Sequence, residues 1–112
     1  MNIQALVPRP KSKRRFHRSS QRFVADRAGC YVLTTFGDVV LYVGLTDDLR
    51  RRIGEHLDDP KKIAETLLGR AFWFHWLETM DLNKIERTWM NIHIENEGSL
   101  PELNGIYSPT FT

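Results

Sequence analysis

Gly29 to Gly44 read GCYVLTTFGDVVLYVG, and this stretch decides the fold. Cys30 to Phe36 and Val39 to Gly44 are rich in β-branched and aromatic residues, which suit strands. Gly37-Asp38 between them predicts a hairpin with a two-residue type II′ turn, glycine first. Opposed residue numbers in a hairpin have a constant sum. If Phe36 faces Val39, then Leu33 faces Tyr42 and Tyr31 faces Gly44. Directly opposed residues share a sheet face, so Tyr31 and Tyr42 project the same way as diagonal neighbours, and Gly44 leaves open space across from Tyr31.

Beyond the hairpin, Thr46 suits an N-cap and Asp47 and Asp48 suit a positive helix N-terminus, which predicts a helix over Asp47 to Leu57. Its apolar stripe is Leu49, Ile53 and Leu57. Arg52 and His56 lie along one flank and can reach the sheet, whereas Arg51 points away. Asp59-Pro60 reads as an N-cap followed by proline at the first helical position, opening a second helix to about Leu68, with Gly69 as its stop. Ala71 to Leu77 reads as a third strand. From Asp81 to Glu97 the apolar positions Leu82, Ile85, Trp89 and Ile92 keep helical spacing, and Gly98 ends that run. Ser99 to Thr112 reads as a loop-like tail. The expected fold is α+β, a three-stranded antiparallel sheet flanked by helices in the order β-β-α-α-β-α.

The chain has 112 residues, enough for one domain with its own core. No apolar run nears the ~20 residues of a membrane span, and the start lacks the apolar centre of a signal peptide. The one cysteine, Cys30, can make neither an internal disulfide nor a zinc site alone, and fits packing in a reducing, cytoplasmic setting. Charge is uneven. Arg9, Lys11, Lys13, Arg14, Arg15, Arg18 and Arg22 fall within residues 1–22 without an acidic side chain, and the remainder carries a net −5. Pro8 and Pro10 argue against regular structure before about Gln21. Residues 1–22 therefore read as a flexible basic arm on a domain of residues 23–112, with those seven side chains as candidate nucleic-acid contacts. Only Phe16 accompanies the charges, which disfavours membrane attachment.

Two tyrosines on one face with arginines arriving on a helix offer phenolic oxygens and guanidinium charge to a phosphodiester. With the element order in place, Gly29-Cys30-Tyr31 and Tyr42-Val43-Gly44 resemble the two motifs of the GIY-YIG endonuclease family, with cysteine and valine where the family name has isoleucine. Arg52, Glu86 and Asn104 fall at further matching positions, so the resemblance covers residues 29 to 104. Leu45 departs from relatives that carry lysine there. The resemblance implies a nuclease that hydrolyses nucleic-acid phosphodiesters, with DNA as the expected polymer and Mg²⁺ or Mn²⁺ as the cofactor.

It also implies roles for individual residues. Arg52 would hold nonbridging phosphate oxygens as charge builds, since a guanidinium is always protonated and forked; its bland alternative is an ion pair with Glu55 or Asp48. Glu86 would hold the cation, a single carboxylate sufficing when water and substrate phosphate complete the coordination. Tyr31 would help activate water and Tyr42 would bond to the phosphate or that water. A tyrosine titrates near pH ~10 and a histidine near neutrality, so His56, one helical turn after Arg52, competes with Tyr31 as general base. Asn104 would anchor the site, although Asn-Gly also simply makes turns. A noncatalytic nucleic-acid-binding module with this fold, or a protein-interaction domain using aromatics of the third strand, are the alternatives. Oligomeric state is not legible.

Overall fold

The computed structural model describes residues 1–104. Four strands, β1 (Ser12–Arg15), β2 (Gly29–Thr34), β3 (Val40–Thr46) and β4 (Trp73–Glu78), form one antiparallel sheet in the order β1-β4-β2-β3. Helices α1 (Leu49–Leu57), α2 (Pro60–Ile63) and α3 (Leu82–Glu97) complete the α+β fold, and the part of the expected tail from residue 105 onward lies outside the described residues.

The sheet has four strands rather than three because the basic N-terminal segment is folded. Lys13 pairs with His75 and Arg14 with Phe74 along β4. Short 3-10 helices occupy Ile3–Ala5 and Arg18–Phe23. Apolar anchors hold the segment down: Ile3 and Leu6 bury in one core cluster and Phe16 in the other, while the Trp89 indole nitrogen donates to the Pro8 carbonyl at 2.8 Å. Burial of these side chains offsets the ordering cost that charge and proline suggest. All seven basic side chains of the segment stay exposed.

The hairpin register holds where the site lies. Leu33 pairs with Tyr42 and Tyr31 with Gly44. The turn differs from type II′: Asp38, at φ +70°, takes the left-handed conformation and its N–H donates to the Thr35 carbonyl at 3.0 Å. The Thr35 N–H donates to the Val39 carbonyl at 2.9 Å, leaving Phe36, Gly37 and Asp38 as a three-residue loop. A register shift then pairs Thr34 with Val40. Aspartate tolerates the left-handed region, and a turn ending in such a residue matches the strand twist.

Helix α1 starts later than the Thr46 cap predicts. Asp48 is the N-cap, its carboxylate accepting from the Arg51 N–H at 3.1 Å, while the Thr46 hydroxyl accepts from the Asp48 N–H at 3.1 Å. Asp59 caps α2 with Pro60 first, as its sequence requires, but α2 ends at Ile63 and a Thr66–Gly69 turn follows. The third predicted strand is β4, shifted to Trp73–Glu78. Gly98 closes α3 at φ +77°, a left-handed end that favours glycine.

The sheet separates two cores. Tyr31, Leu33 and Phe74 pack with Leu49 and Ile53 of α1 on one face; Cys30, Val32 and Val43 pack with Trp89 of α3 on the other. Strand alternation at Cys30-Tyr31-Val32 thus assigns the two faces to different helices.

Candidate active site

The Tyr31 phenol is the centre of the cluster. Its ring is fully buried, stacked on Phe74 with centroids 5.2 Å apart, and tilted against Tyr42 at 6.0 Å. Its hydroxyl lies 2.7 Å from His56 Nε2 and accepts from Arg52 Nε at 3.1 Å. Because Arg52 can only donate, the hydroxyl hydrogen is free for His56, whose Nε2 then accepts it and whose Nδ1 carries the ring proton. Two side chains, Arg52 and His56, thus converge on one oxygen.

Helix geometry selects among the three consecutive arginines. Arg50 Nε donates to the Val24 carbonyl at 2.9 Å, and Arg51 pairs with Asp47 at 2.6 Å. Only Arg52 bonds to the sheet tyrosine, and its Nη1 also pairs with Glu55 at 2.8 Å. The ion-pair reading of Arg52 with Glu55 is therefore realised, and the same guanidinium also reaches the sheet tyrosine. Arg52 remains partly exposed, as does Tyr42.

Gly44 does not leave a vacancy for a phosphate. A Cβ there would stand 2.5 Å from the Tyr31 hydroxyl oxygen and 2.9 Å from a Tyr42 ring carbon. The space across from Tyr31 is taken by the Tyr31 side chain itself, which leans over the glycine. Glycine at this position is what lets the phenol reach Arg52 and His56.

Asn104 grips the free edge of β3 at two points. Its Oδ1 accepts from the Val43 N–H and its Nδ2 donates to the Val43 carbonyl, both at 3.0 Å. It bonds to the backbone between Tyr42 and Gly44, which positions the second motif. Lys62 is a site neighbour with no sequence motif to mark it: its ammonium sits 4.8 Å from the centroid of the Tyr42 ring and 3.5 Å from Asp59. It brings a cation to the Tyr42 side of the site, where Leu45 supplies none.

Glu86 stands apart. It lies half-buried on α3, the helix that packs against the Cys30 face, and among the described residues no hydrogen bond or ion pair joins it to Tyr31, His56 or Arg52. Burial raises its carboxyl pKa, with Arg87 opposing. Burial, helped by Glu86, also pushes the Cys30 thiol up to about 12, and its side chain packs in the core with Val32, Val43 and Trp89. No group of three or more His, Cys, Asp or Glu suited to a metal occurs among the described residues.

Electrostatics keep Tyr31 and His56 uncharged beside the positive Arg52. Burial, then the neighbouring Tyr42, raises the Tyr31 pKa, and Arg52 only partly opposes them. Burial, then the positive charge of Arg52, lowers His56 to about 3, and burial with Lys13 lowers His75 to about 4. Both histidines bind protons more readily in the unfolded chain, so their contribution to stability is complete above pH ~6.5 and is lost as pH falls toward those values. The unfolding free energy from urea titration should therefore drop steeply between pH 6.5 and 4, by up to about 1.4 kcal/mol per pH unit for each histidine. A flat stability profile across that range would contradict the buried, neutral assignment.

An open cleft of about 570 Å³, lined by Arg18, Ser19, Gln21, Arg22 and Arg50, lies beside the other flank of α1. It is not continuous with the tyrosine cluster through any lining residue. No helix among the described residues is long and apolar enough to cross a membrane.

Comparison with known proteins adds two findings. The GIY-YIG catalytic domain family profile matches residues 27–97. UvrABC system protein C of Finegoldia magna (strain ATCC 29328 / DSM 20472 / WAL 2508) is 40% identical over 56 residues, spanning 48% of this chain and 9% of that much longer protein.

Proposed function

The chain belongs to the GIY-YIG catalytic domain family, and from that premise we propose that it is an endonuclease hydrolysing phosphodiester bonds, with DNA as substrate and Mg²⁺ or Mn²⁺ as cofactor. The observation that carries this reading is the Tyr31 hydroxyl held between Arg52 Nε at 3.1 Å and His56 Nε2 at 2.7 Å.

Arg52 and Tyr42 are the accessible members of the cluster and would meet the phosphate first. Arg52 binds nonbridging oxygens, and the phosphate competes with Glu55 for its fork. As Arg52 turns to the phosphate, its bond to Tyr31 is released and the phenol opens to water. Tyr31 then takes a proton from that water while passing its own to His56 Nε2. The hydroxide so formed bonds to phosphorus as the P–O bond to the leaving sugar oxygen breaks, that oxygen taking a proton from solvent. Burial opposes the imidazolium, and negative charge arriving on the phosphate offsets that cost. Tyr42 bonds to the phosphate or water, and Asn104 keeps its strand in place through Val43.

Glu86 fits a cation in one respect visible here: a half-buried carboxylate with no hydrogen-bond or ion-pair partner among the described residues is a dehydrated anion whose charge a divalent ion would balance. An ion held by Glu86 would supply positive charge to a substrate phosphate, with water filling its remaining positions; Glu86 lies on the Cys30 face and not with the Tyr31 cluster, so no step at Tyr31 is routed through it. The seven exposed cations of residues 1–22, together with Arg50 in the cleft, supply the polyanion-binding surface.

The test is cleavage of supercoiled, branched, flap and single-stranded DNA, and of RNA, with and without Mg²⁺ or Mn²⁺. Wild type should cut with the metal and stop in EDTA, and Glu86→Ala should lose at least about 100-fold in rate while its circular dichroism stays unchanged. Wild type that leaves every substrate intact would instead support the second reading, a noncatalytic nucleic-acid-binding domain, which the complete burial of Tyr31 favours.

A further inference from the structure

The loop at the β2–β3 turn carries an aromatic cluster that the catalytic reading does not use. Phe36 is 72% exposed, although its ring meets Phe72 edge-on at 5.1 Å and lies stacked beside Trp73 at 6.4 Å. The Trp73 indole nitrogen donates to the Phe36 carbonyl at 3.1 Å, which fixes the loop to β4. Strand β1 adds two cations to the same rings: Lys13 Nζ sits 4.0 Å over Trp73 and the Arg15 guanidinium 4.9 Å over Phe72. Both come from the segment that joins the sheet only in this four-stranded arrangement.

We propose that Phe36, Phe72 and Trp73, with Lys13 and Arg15, form a binding platform for an unpaired nucleic-acid strand. A base offers a π-face that stacks on an exposed ring whatever its identity, and adjacent phosphates take the cations. In a duplex both base faces are already stacked, so only an unpaired strand gains fully from Phe36. Charge complementarity favours a polyanion over an apolar protein partner, because cations lie on two of the three rings.

The platform also lies in line with the catalytic cluster. Phe72 continues the β pairing, its N–H donating to the Thr34 carbonyl at 2.7 Å. Strand alternation gives Phe72 the side of β4 that Phe74 has and Trp73 the side of His75, so the platform wraps the end of the strand; Phe74 stacks on Tyr31. Thr34 is three residues from Tyr31, roughly 10 Å at ~3.3 Å per residue. The Phe72 end of the platform therefore lies on the Tyr31 side, a few nucleotides' length from it. The platform rests on the nuclease reading only for the identity of the polymer.

The test uses the full chain in EDTA, so that binding is read without cutting, and titrates it with a 24-residue oligothymidylate and with a hairpin duplex of equal length. Trp76 and Trp89 are buried and Trp73 is partly exposed, so tryptophan emission reports on the platform. Oligothymidylate should quench emission saturably. Phe36→Ala should weaken its binding about tenfold or more while duplex binding stays within about twofold. Lys13→Ala should reduce the salt slope of oligothymidylate binding by about 1. Equal losses for both polymers, no loss for either, or unchanged emission at saturating oligothymidylate would each overturn the platform. A protein that cuts DNA but shows no such quenching loses the platform alone; one that quenches but never cuts loses the nuclease reading alone.

Discussion

Arg52→Ala should reduce the rate of metal-dependent DNA cleavage by about 10²–10³-fold, the range seen when a donor aimed at developing charge is removed. The partly exposed side chain contributes little to the core, so urea unfolding should show a loss of at most about 1–2 kcal/mol, from its Tyr31 and Glu55 partners. Arg52→Lys should recover only a minor part of the activity. A lysine keeps the charge, but it lacks the planar fork that here spans Tyr31 and Glu55 and that would hold two phosphate oxygens together. Neighbouring Arg51, paired with Asp47 and Glu55, serves as the control: Arg51→Ala should cut within about threefold of wild type. If Arg51→Ala and Arg52→Ala fell equally, the helix would be acting as a diffuse charge and not as a placed guanidinium.

Tyr31→Phe should be as damaging to cleavage, by about 10²–10⁴-fold, because it removes the one oxygen on which Arg52 and His56 converge. The ring stays to stack on Phe74, so the fold should persist. Stability should fall by about 1–3 kcal/mol, since His56 Nε2 is left buried without its partner. A buried, unpartnered imidazole should then have a changed titration, which NMR of the His56 ring would read directly. Cleavage at the wild-type rate by Tyr31→Phe would remove this phenol from the chemistry altogether.

Much of the site was legible because strand alternation is rigid. Once Leu33 faces Tyr42, Tyr31 must face Gly44 and the two tyrosines must share a side, and the different turn at Asp38 does not disturb this because the register shift falls beyond Leu33. The spacing of Arg52 and His56 on α1 likewise carries over into space. What was not legible depends on contacts between distant segments. Leu6 and Phe16 are separated by two prolines and five charges in no helical or strand period, so the burial that makes β1 a fourth strand leaves no local signal. Thr46 and Asp48 are both good caps, and the final choice depends on where β3 ends. The space over Gly44 is open by composition alone and is filled only because the Tyr31 ring is pressed there by Phe74. Lys62 reaches Tyr42 from a one-turn helix that no motif marks. The position of Glu86 on the Cys30 side follows from how α3 crosses the sheet, which its own periodicity does not specify.

The central claim is that Tyr31 and His56 act as one unit in cleaving a phosphodiester, and a double-mutant cycle in single-turnover rate tests it most directly. Wild type, Tyr31→Phe, His56→Ala and the double variant would be compared with Mg²⁺ on one DNA substrate, each checked for folding by circular dichroism. Groups that work as a unit give strongly non-additive losses. The account predicts that the double variant is no slower, within about threefold, than the slower single variant. Losses that multiply, or a wild type that does not cut at all, would contradict it.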